Sequence, residues 1–151
     1  MAYWLLKSEP AVYSVDDLAA APGSTDRWDG VRNYQARNFL RSMRVGDLAF
    51  FYHSSCPQPG IAGIVRIVRE AYPDPTALDP RSPYHDPRAT PEAPRWYAVD
   101  VRLERRLARL ITLAELRACP GLEGLALLRR GQRLSVMPVA PEHWRRILAL
   151  R

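Results

Sequence analysis

Leu48-Ala49-Phe50-Phe51-Tyr52-His53-Ser54-Ser55-Cys56-Pro57-Gln58-Pro59-Gly60-Ile61-Ala62-Gly63-Ile64-Val65 carries no charged side chain. An uncharged run of this length is the signature of a membrane helix when it is apolar throughout, since a span needs about 20 apolar residues. This one is not. His53, Ser54 and Ser55 end the aromatic run, and Pro57 and Pro59 remove helix donors before Gly60. It therefore reads as a strand over Leu48–His53, a turn, and a second strand beginning at Gly60, with no membrane span. The second strand continues to Tyr72 with small and branched residues alternating at Ile61, Gly63, Val65 and Ile67. Within Phe50-Phe51-Tyr52 one ring must face opposite to the other two, because successive strand side chains alternate.

Moving outward, Tyr3–Lys7 predicts a short strand buried on both faces, apolar until Lys7 and stopped by Pro10. Ser14 caps a helix whose first turn holds Asp16 and Asp17, and Pro22-Gly23 closes it. Trp28 to Asn33 reads as a loop, with Asn33 placed to cap a helix over Tyr34–Arg44. There Ala36, Phe39, Leu40 and Met43 make the apolar face, and Arg37, Arg41 and Arg44 make a basic stripe. Between Tyr72 and Arg95 lie seven of the fourteen prolines, which predicts a long loop at about 73–94 without regular structure. Arg95–Leu107 returns to strand. Thr112 and Glu115 form a capping box, Leu134–Val139 is a last strand, and Pro141 opens a final helix packed through Trp144, Ile147 and Leu148. With no repeat and no linker, one α+β domain over residues 1–151 is expected, with about four to six strands and three or four short helices.

Composition agrees with a globular chain: 47% hydrophobic and 25% charged residues exclude disordered, collagen-like and disulfide-scaffold classes. The net charge of +6 is unevenly spread. Residues 102–151 hold 11 basic and 4 acidic side chains, whereas 70–101 hold 3 and 6. A basic third beside an acidic insert points to a polyanion-facing surface, with nucleic acid the default partner. Lys7 is the only lysine, and it ends an apolar strand instead of decorating a surface. Cys56 and Cys119 sit in no CxxC pair and read as reduced thiols, and no basic segment precedes the first apolar run. A cytoplasmic location is expected.

Metal and phosphate chemistry find no support. His53, His85 and His143 are isolated in sequence, His53 and Cys56 lack a second ligand pair, and neither GxxxxGK[ST] nor GxGxxG occurs. No metal and no cofactor are expected. Nucleophilic catalysis has Lys7-Ser8 and His53-Ser54 as candidates, but strand neighbours point apart and no GxSxG elbow is present. The aromatics lead further. Trp28 stands among Arg27, Asp29 and Gly30, an unusual setting for a core indole, and indole faces are effective base-stacking platforms. Tyr52 is a second candidate, divided between packing and binding.

Six ordered segments carry a resemblance: Tyr3–Pro10, Trp28–Asn38, Phe51–Ser54, Gly60–Gly63, Ala71–Asp74 and Arg133–Val136. Together they resemble the EVE-domain family from residue 3 to about 150. The resemblance implies the PUA-like superfamily, related to YTH and ASCH domains: a small, partly closed mixed β-barrel flanked by short helices, with a pocket at one mouth. It further implies recognition of a modified base in DNA or RNA, of modified-cytosine type, by a protein that need not be an enzyme. By motif position, Lys7 and Ser8 fall at the pocket's polar floor, Trp28 at its wall with Asp29 beside it, and Asn33 in the following loop. Tyr52, His53 and Ser54 match the second-strand segment, and Leu134 and Ser135 the lip of the last strand.

The energetics are compatible. Taking a base out of a duplex costs a few kcal/mol, and stacking on one aromatic face returns about 1–3 kcal/mol. Ser8, Asp29, Asn33 and Ser135 offer donors and acceptors for the base edge, while Arg37, Arg41, Arg44 and the C-terminal arginines suit phosphates. Two other readings remain open at this level: a hydrolase or nucleoside-modifying enzyme using Lys7, Ser8 or His53 in the same pocket, and a protein-interaction module presenting the basic face.

Overall fold

The computed structural model describes residues 1–151. Six strands form one sheet: β1 (Tyr3–Ser8), β2 (Thr25–Trp28), β3 (Leu48–His53), β4 (Gly60–Pro73), β5 (Tyr97–Thr112) and β6 (Val136–Val139). Their order is β2-β5-β4-β3-β1-β6. Only β1 and β3 run parallel, with Leu5 opposite Phe50, and the other neighbours are antiparallel. The parallel pair requires a crossover. It is supplied by α1 (Val15–Ala20), a 3-10 turn at Pro22–Ser24, β2 and α2 (Tyr34–Ser42). Three more helices follow: α3 (Pro75–Leu78), α4 (Leu113–Ala118) and α5 (Pro141–Leu148). No helix is long and apolar enough to cross a membrane.

The sheet divides the interior in two. Trp4, Leu6, Phe51, Val65, Ile67, Val99 and Val101 pack with α1 and α2 on one face. Leu5, Phe50, Tyr52, Ile61, Ile64 and Ile111 pack with α4 and α5 on the other. The alternation expected at Phe50-Phe51-Tyr52 is present, with Phe51 turned away from its neighbours. Burial on both faces is why β1 and β3 read as continuous apolar runs, and Trp4, Leu5 and Leu6 are all buried. Local chemistry fixes the helix starts. Ser14 and Asp17 cap α1 reciprocally, Thr112 and Glu115 do the same for α4, and Asn33 accepts from the Ala36 amide at the start of α2.

Several expectations need correction. Trp28 is not in a loop: it ends β2, paired with Val99 across the ladder. The proline-rich segment is not without regular structure, because Pro75 takes the first turn of α3 behind an Asp74 cap. β5 begins at Tyr97 and runs on to Thr112, beyond the expected end at Leu107, and β6 starts at Val136, later than Leu134. The helices number five, one more than the upper expectation, with α2 ending at Ser42 short of Arg44. The sheet is mixed and curled but not closed, since β2 and β6 stand at its two edges without pairing to one another.

Candidate base-binding cleft

Both unpaired edges contribute to one cleft of about 460 Å³. Its lining includes Asp26, Arg27 and Trp28 from β2, Lys7 and Ser8 from the end of β1, and Ser135 just before β6. The cleft is therefore the open seam of the incomplete barrel. Its volume falls in the range of small-molecule sites, about 300–1,000 Å³.

The floor is polar. Lys7 N–H donates to the Ser135 carbonyl at 2.8 Å, which holds the β1 end against the approach to β6. The Ser8 hydroxyl donates to the Tyr13 carbonyl at 2.7 Å, and the Tyr13 hydroxyl donates to Asp26 Oδ2 at 2.5 Å. Burial first, then the bond to Asp26, push the Tyr13 hydroxyl above the ordinary phenol range, so it stays protonated. Arg27 pairs with Asp29 at 2.8 Å. Burial pushes the Lys7 ammonium below its ordinary value, with no carboxylate raising it back. Lys7 thus brings a half-buried donor without an ion-pair partner to the cleft.

Trp28 forms the aromatic wall. It is only 7% exposed, yet it lines the cleft, held edge-on to Phe51 with ring centroids 5.2 Å apart. Phe51 from the central strand therefore sets the orientation of the indole.

A second aromatic ring of the lining comes from the proline-rich segment, a source that no pattern in the sequence suggested. Tyr84 reaches the cleft because Arg32 pins that segment. Arg32 donates through Nε and Nη2 to the Tyr84 carbonyl at 3.0 and 2.7 Å, and through Nη1 to Asp74 Oδ2 at 3.0 Å. Asp74 is fully buried and also accepts from the Gly30 amide at 2.9 Å, the Thr76 amide at 2.8 Å and the Thr76 hydroxyl at 2.7 Å. Burial pushes the Asp74 carboxyl up, but the bonds from Thr76, Gly30 and Arg32 outweigh it and hold the group below the usual carboxylate range. The Arg32 guanidinium also lies 5.5 Å from the centre of the Trp96 ring.

Gly30 is required here twice over. Its φ of +75° lies in the left-handed region, and a Cβ built there would stand 3.0 Å from the Tyr84 ring. Gly30→Ala is expected to cost about 1–2 kcal/mol of stability from the backbone alone and to displace Tyr84. Urea unfolding read beside the intrinsic fluorescence of the folded state checks both. A fully tolerated alanine would mean that the Tyr84 ring is not pressed against this turn.

Of the residues expected at the site, Lys7, Ser8, Trp28, Asp29 and Ser135 meet in the cleft. The others do not line it. Asn33 spends its side chain capping α2. Tyr52 is buried in the core on the far face of the sheet. His53 Nε2 accepts from the Val15 amide at 3.1 Å, and burial, partly opposed by Asp16, keeps its pKa below the ordinary imidazole value. Ser54 contributes its amide to the Ser8 carbonyl at 2.9 Å, and Leu134 packs against both cores. The nucleophile–base pairs considered from sequence are not assembled: the Ser8 proton is given to a carbonyl, and the His53 acceptor nitrogen is occupied. No three His, Cys, Asp or Glu side chains are gathered where they could hold a metal ion.

Arg37, Arg41 and Arg44 lie outside the cleft lining as well. Arg37 donates to the Arg95 carbonyl and to Asn38 while lying 4.7 Å from the Tyr34 ring centre, and Arg41 lies 4.5 Å from that of Tyr97. Arg44 borders a separate hollow with Met1, Asp47 and Arg66.

Comparison with known proteins bears on this geometry. The model of the EVE domain matches residues 2–150. Human thymocyte nuclear protein 1 is 46% identical over 166 residues, covering 99% of this chain and 73% of that protein. A crystal structure of a Pseudomonas syringae protein superposes with a TM-score of 0.95 at 58% identity, covering 99% of each chain. The human THYN1 protein, solved in complex with DNA containing 5-methylcytosine, superposes with a TM-score of 0.93 at 44% identity, covering 99% of this chain and 97% of that one. An ASCH protein of Zymomonas mobilis shares the fold alone, at 11% identity and a TM-score of 0.56.

Proposed function

The chain belongs to the EVE-domain family, and from that premise we propose that it binds DNA carrying a modified cytosine without catalysing a reaction on it. In this reading a flipped base enters the seam between the sheet edges and rests against Trp28. The observation that carries the reading is the composition of the cleft: an indole and a tyrosine from a pinned loop share its lining with Lys7, Ser8 and Ser135. Support also comes from the human THYN1 protein, solved with 5-methylcytosine DNA at 44% identity to this chain.

The methyl group sets the scale of discrimination. Burying one methyl contributes about 0.8 kcal/mol, or about fourfold in affinity. Larger selectivity has to come from polar contacts to the base edge, for which the Lys7 ammonium is the unpaired donor. Stacking on Trp28 contributes about 1–3 kcal/mol, independent of the edge.

The test is fluorescence anisotropy on two duplexes that differ in one 5-methylcytosine, with an RNA of the same sequence and modification as a third ligand. The expected result is at least about fourfold preference for the methylated duplex. Trp28→Phe, which preserves most core contacts but offers a smaller ring, is expected to weaken binding several-fold and reduce that preference. Equal affinity for both duplexes, or an unchanged Trp28→Phe variant, overturns the cleft assignment. Tighter binding to the RNA overturns the choice of DNA.

A further inference from the structure

Residues 129–133 read Arg129-Arg130-Gly131-Gln132-Arg133, between a 3-10 turn at Ala126–Leu128 and the cleft lip. All three arginines are exposed. Some surface arginines are matched with acids, as Arg66 is with Glu104 and Arg109 with Glu115, while others such as Arg44 and Arg102 stand singly without one. Arg129, Arg130 and Arg133 have no such partner. Three guanidinium groups in five residues repel one another, and nothing within the chain neutralises them.

The segment is nonetheless fixed. Gly131 turns at φ +75°, and the Gln132 amide donates to the Arg129 carbonyl at 3.2 Å. The Gln132 side chain donates to the Ala126 carbonyl at 3.4 Å and accepts from the Leu134 amide at 2.9 Å. Two residues beyond Arg133, Ser135 lines the cleft and its carbonyl holds Lys7. Two residues of extended chain span about 7 Å. A concentrated positive charge is therefore anchored one short step from the place where a base would enter.

We propose that residues 129–133 form a phosphate clamp, in which Arg129, Arg130 and Arg133 hold the DNA backbone flanking the base in the cleft. The clamp rests on the reading of the cleft as a DNA site. It reassigns the task expected of α2, where Arg37 and Arg41 are already engaged by carbonyl, amide and tyrosine groups. Phosphate contacts fix register without reading sequence, so the clamp adds affinity and leaves base preference untouched.

The experiment measures binding of the methylated and unmethylated duplexes over a salt series for the wild type and for the double variant Arg129→Gln/Arg130→Gln. A second double variant, Arg117→Gln/Arg145→Gln, removes the same charge from α4 and α5, outside the 129–133 segment and the cleft lining. The clamp predicts that the first variant weakens both duplexes by the same factor. It also predicts that the slope of log affinity against log salt becomes shallower by about two, at about 0.9 for each phosphate no longer neutralised. The second variant is expected to leave the slope near wild type. An unchanged slope in the first variant, or an equal loss in both, overturns the clamp. A wild type that binds both duplexes equally, with the slope still lost on removing Arg129 and Arg130, overturns the base reading and leaves the clamp standing. No binding to either duplex overturns both.

Discussion

Asp74→Ala is expected to lose about 3–5 kcal/mol of folding stability, the size seen when one partner of a buried ion pair is removed. The variant removes the acceptor of four bonds at once: from the Gly30 amide, the Thr76 amide, the Thr76 hydroxyl and Arg32. The two amides lose their partner, and the Arg32 guanidinium, 22% exposed, keeps its charge with no counter-ion. Its residual exposure places the cost toward the lower end of that range. Against a total stability of about 5–15 kcal/mol for a domain, this is a large fraction. Urea unfolding near neutral pH measures it, and a loss under about 1 kcal/mol would mean that water or relaxation replaces the missing carboxylate.

The same carboxylate makes the stability depend on pH. Its pKa is lower in the folded chain than in the unfolded one, so its contribution is complete above the unfolded value, about 3.9. That contribution fades as pH falls from there through the folded value. Asp74→Asn is expected to flatten part of this acid limb, the remainder belonging to other depressed carboxylates such as Asp47. Above about pH 5 the difference between the two proteins should be constant. A functional loss should accompany the structural one, because releasing Arg32 frees Tyr84 from the cleft.

This latch marks the limit of what the sequence discloses. Interactions made within one turn are legible: Ser14, Asn33 and Thr112 with Glu115 announce their helices, and apolar patterning at Tyr3–Lys7 and Leu48–His53 announces strands buried on two faces. Lys7 stood out because a lone lysine at a strand end has no surface role. What failed was either too short or too remote. β2 is Thr25-Asp26-Arg27-Trp28, a strand without alternation, stabilised by its pairing with residues 99–102 far along the chain. Trp28 therefore looked like a loop residue while occupying the end of an edge strand. Asp74-Pro75 did carry a helix-start signal, a capping acid before a first-turn proline, but the density of prolines masked it. Tyr84 has no local signature at all, since it owes its place to an arginine 52 positions earlier. Tyr52 failed differently. Its alternation was readable and correct, yet the sequence did not say which face of the sheet carries the cleft.

Trp144→Ala should cost about 3–5 kcal/mol, as large-to-small aromatic substitutions in cores do. The indole is 4% exposed, stacked on Phe50 at 3.8 Å and on Tyr3 at 4.5 Å between ring centroids, so its removal forfeits buried area and two aromatic stacking partners together. Trp28→Ala should cost a similar amount, for that ring is packed against Phe51. The two variants part company in binding. Trp144 projects from α5 into the core it shares with α4, whereas Trp28 lines the seam between the sheet edges. Measured under conditions where each variant remains folded, Trp144→Ala should keep the methylated-to-unmethylated affinity ratio of the wild type, and Trp28→Ala should bring it close to one. A ratio that collapses equally in both would mean that any loosening of the sheet abolishes discrimination. Selectivity would then be a property of global rigidity and not of an indole at the barrel's open seam.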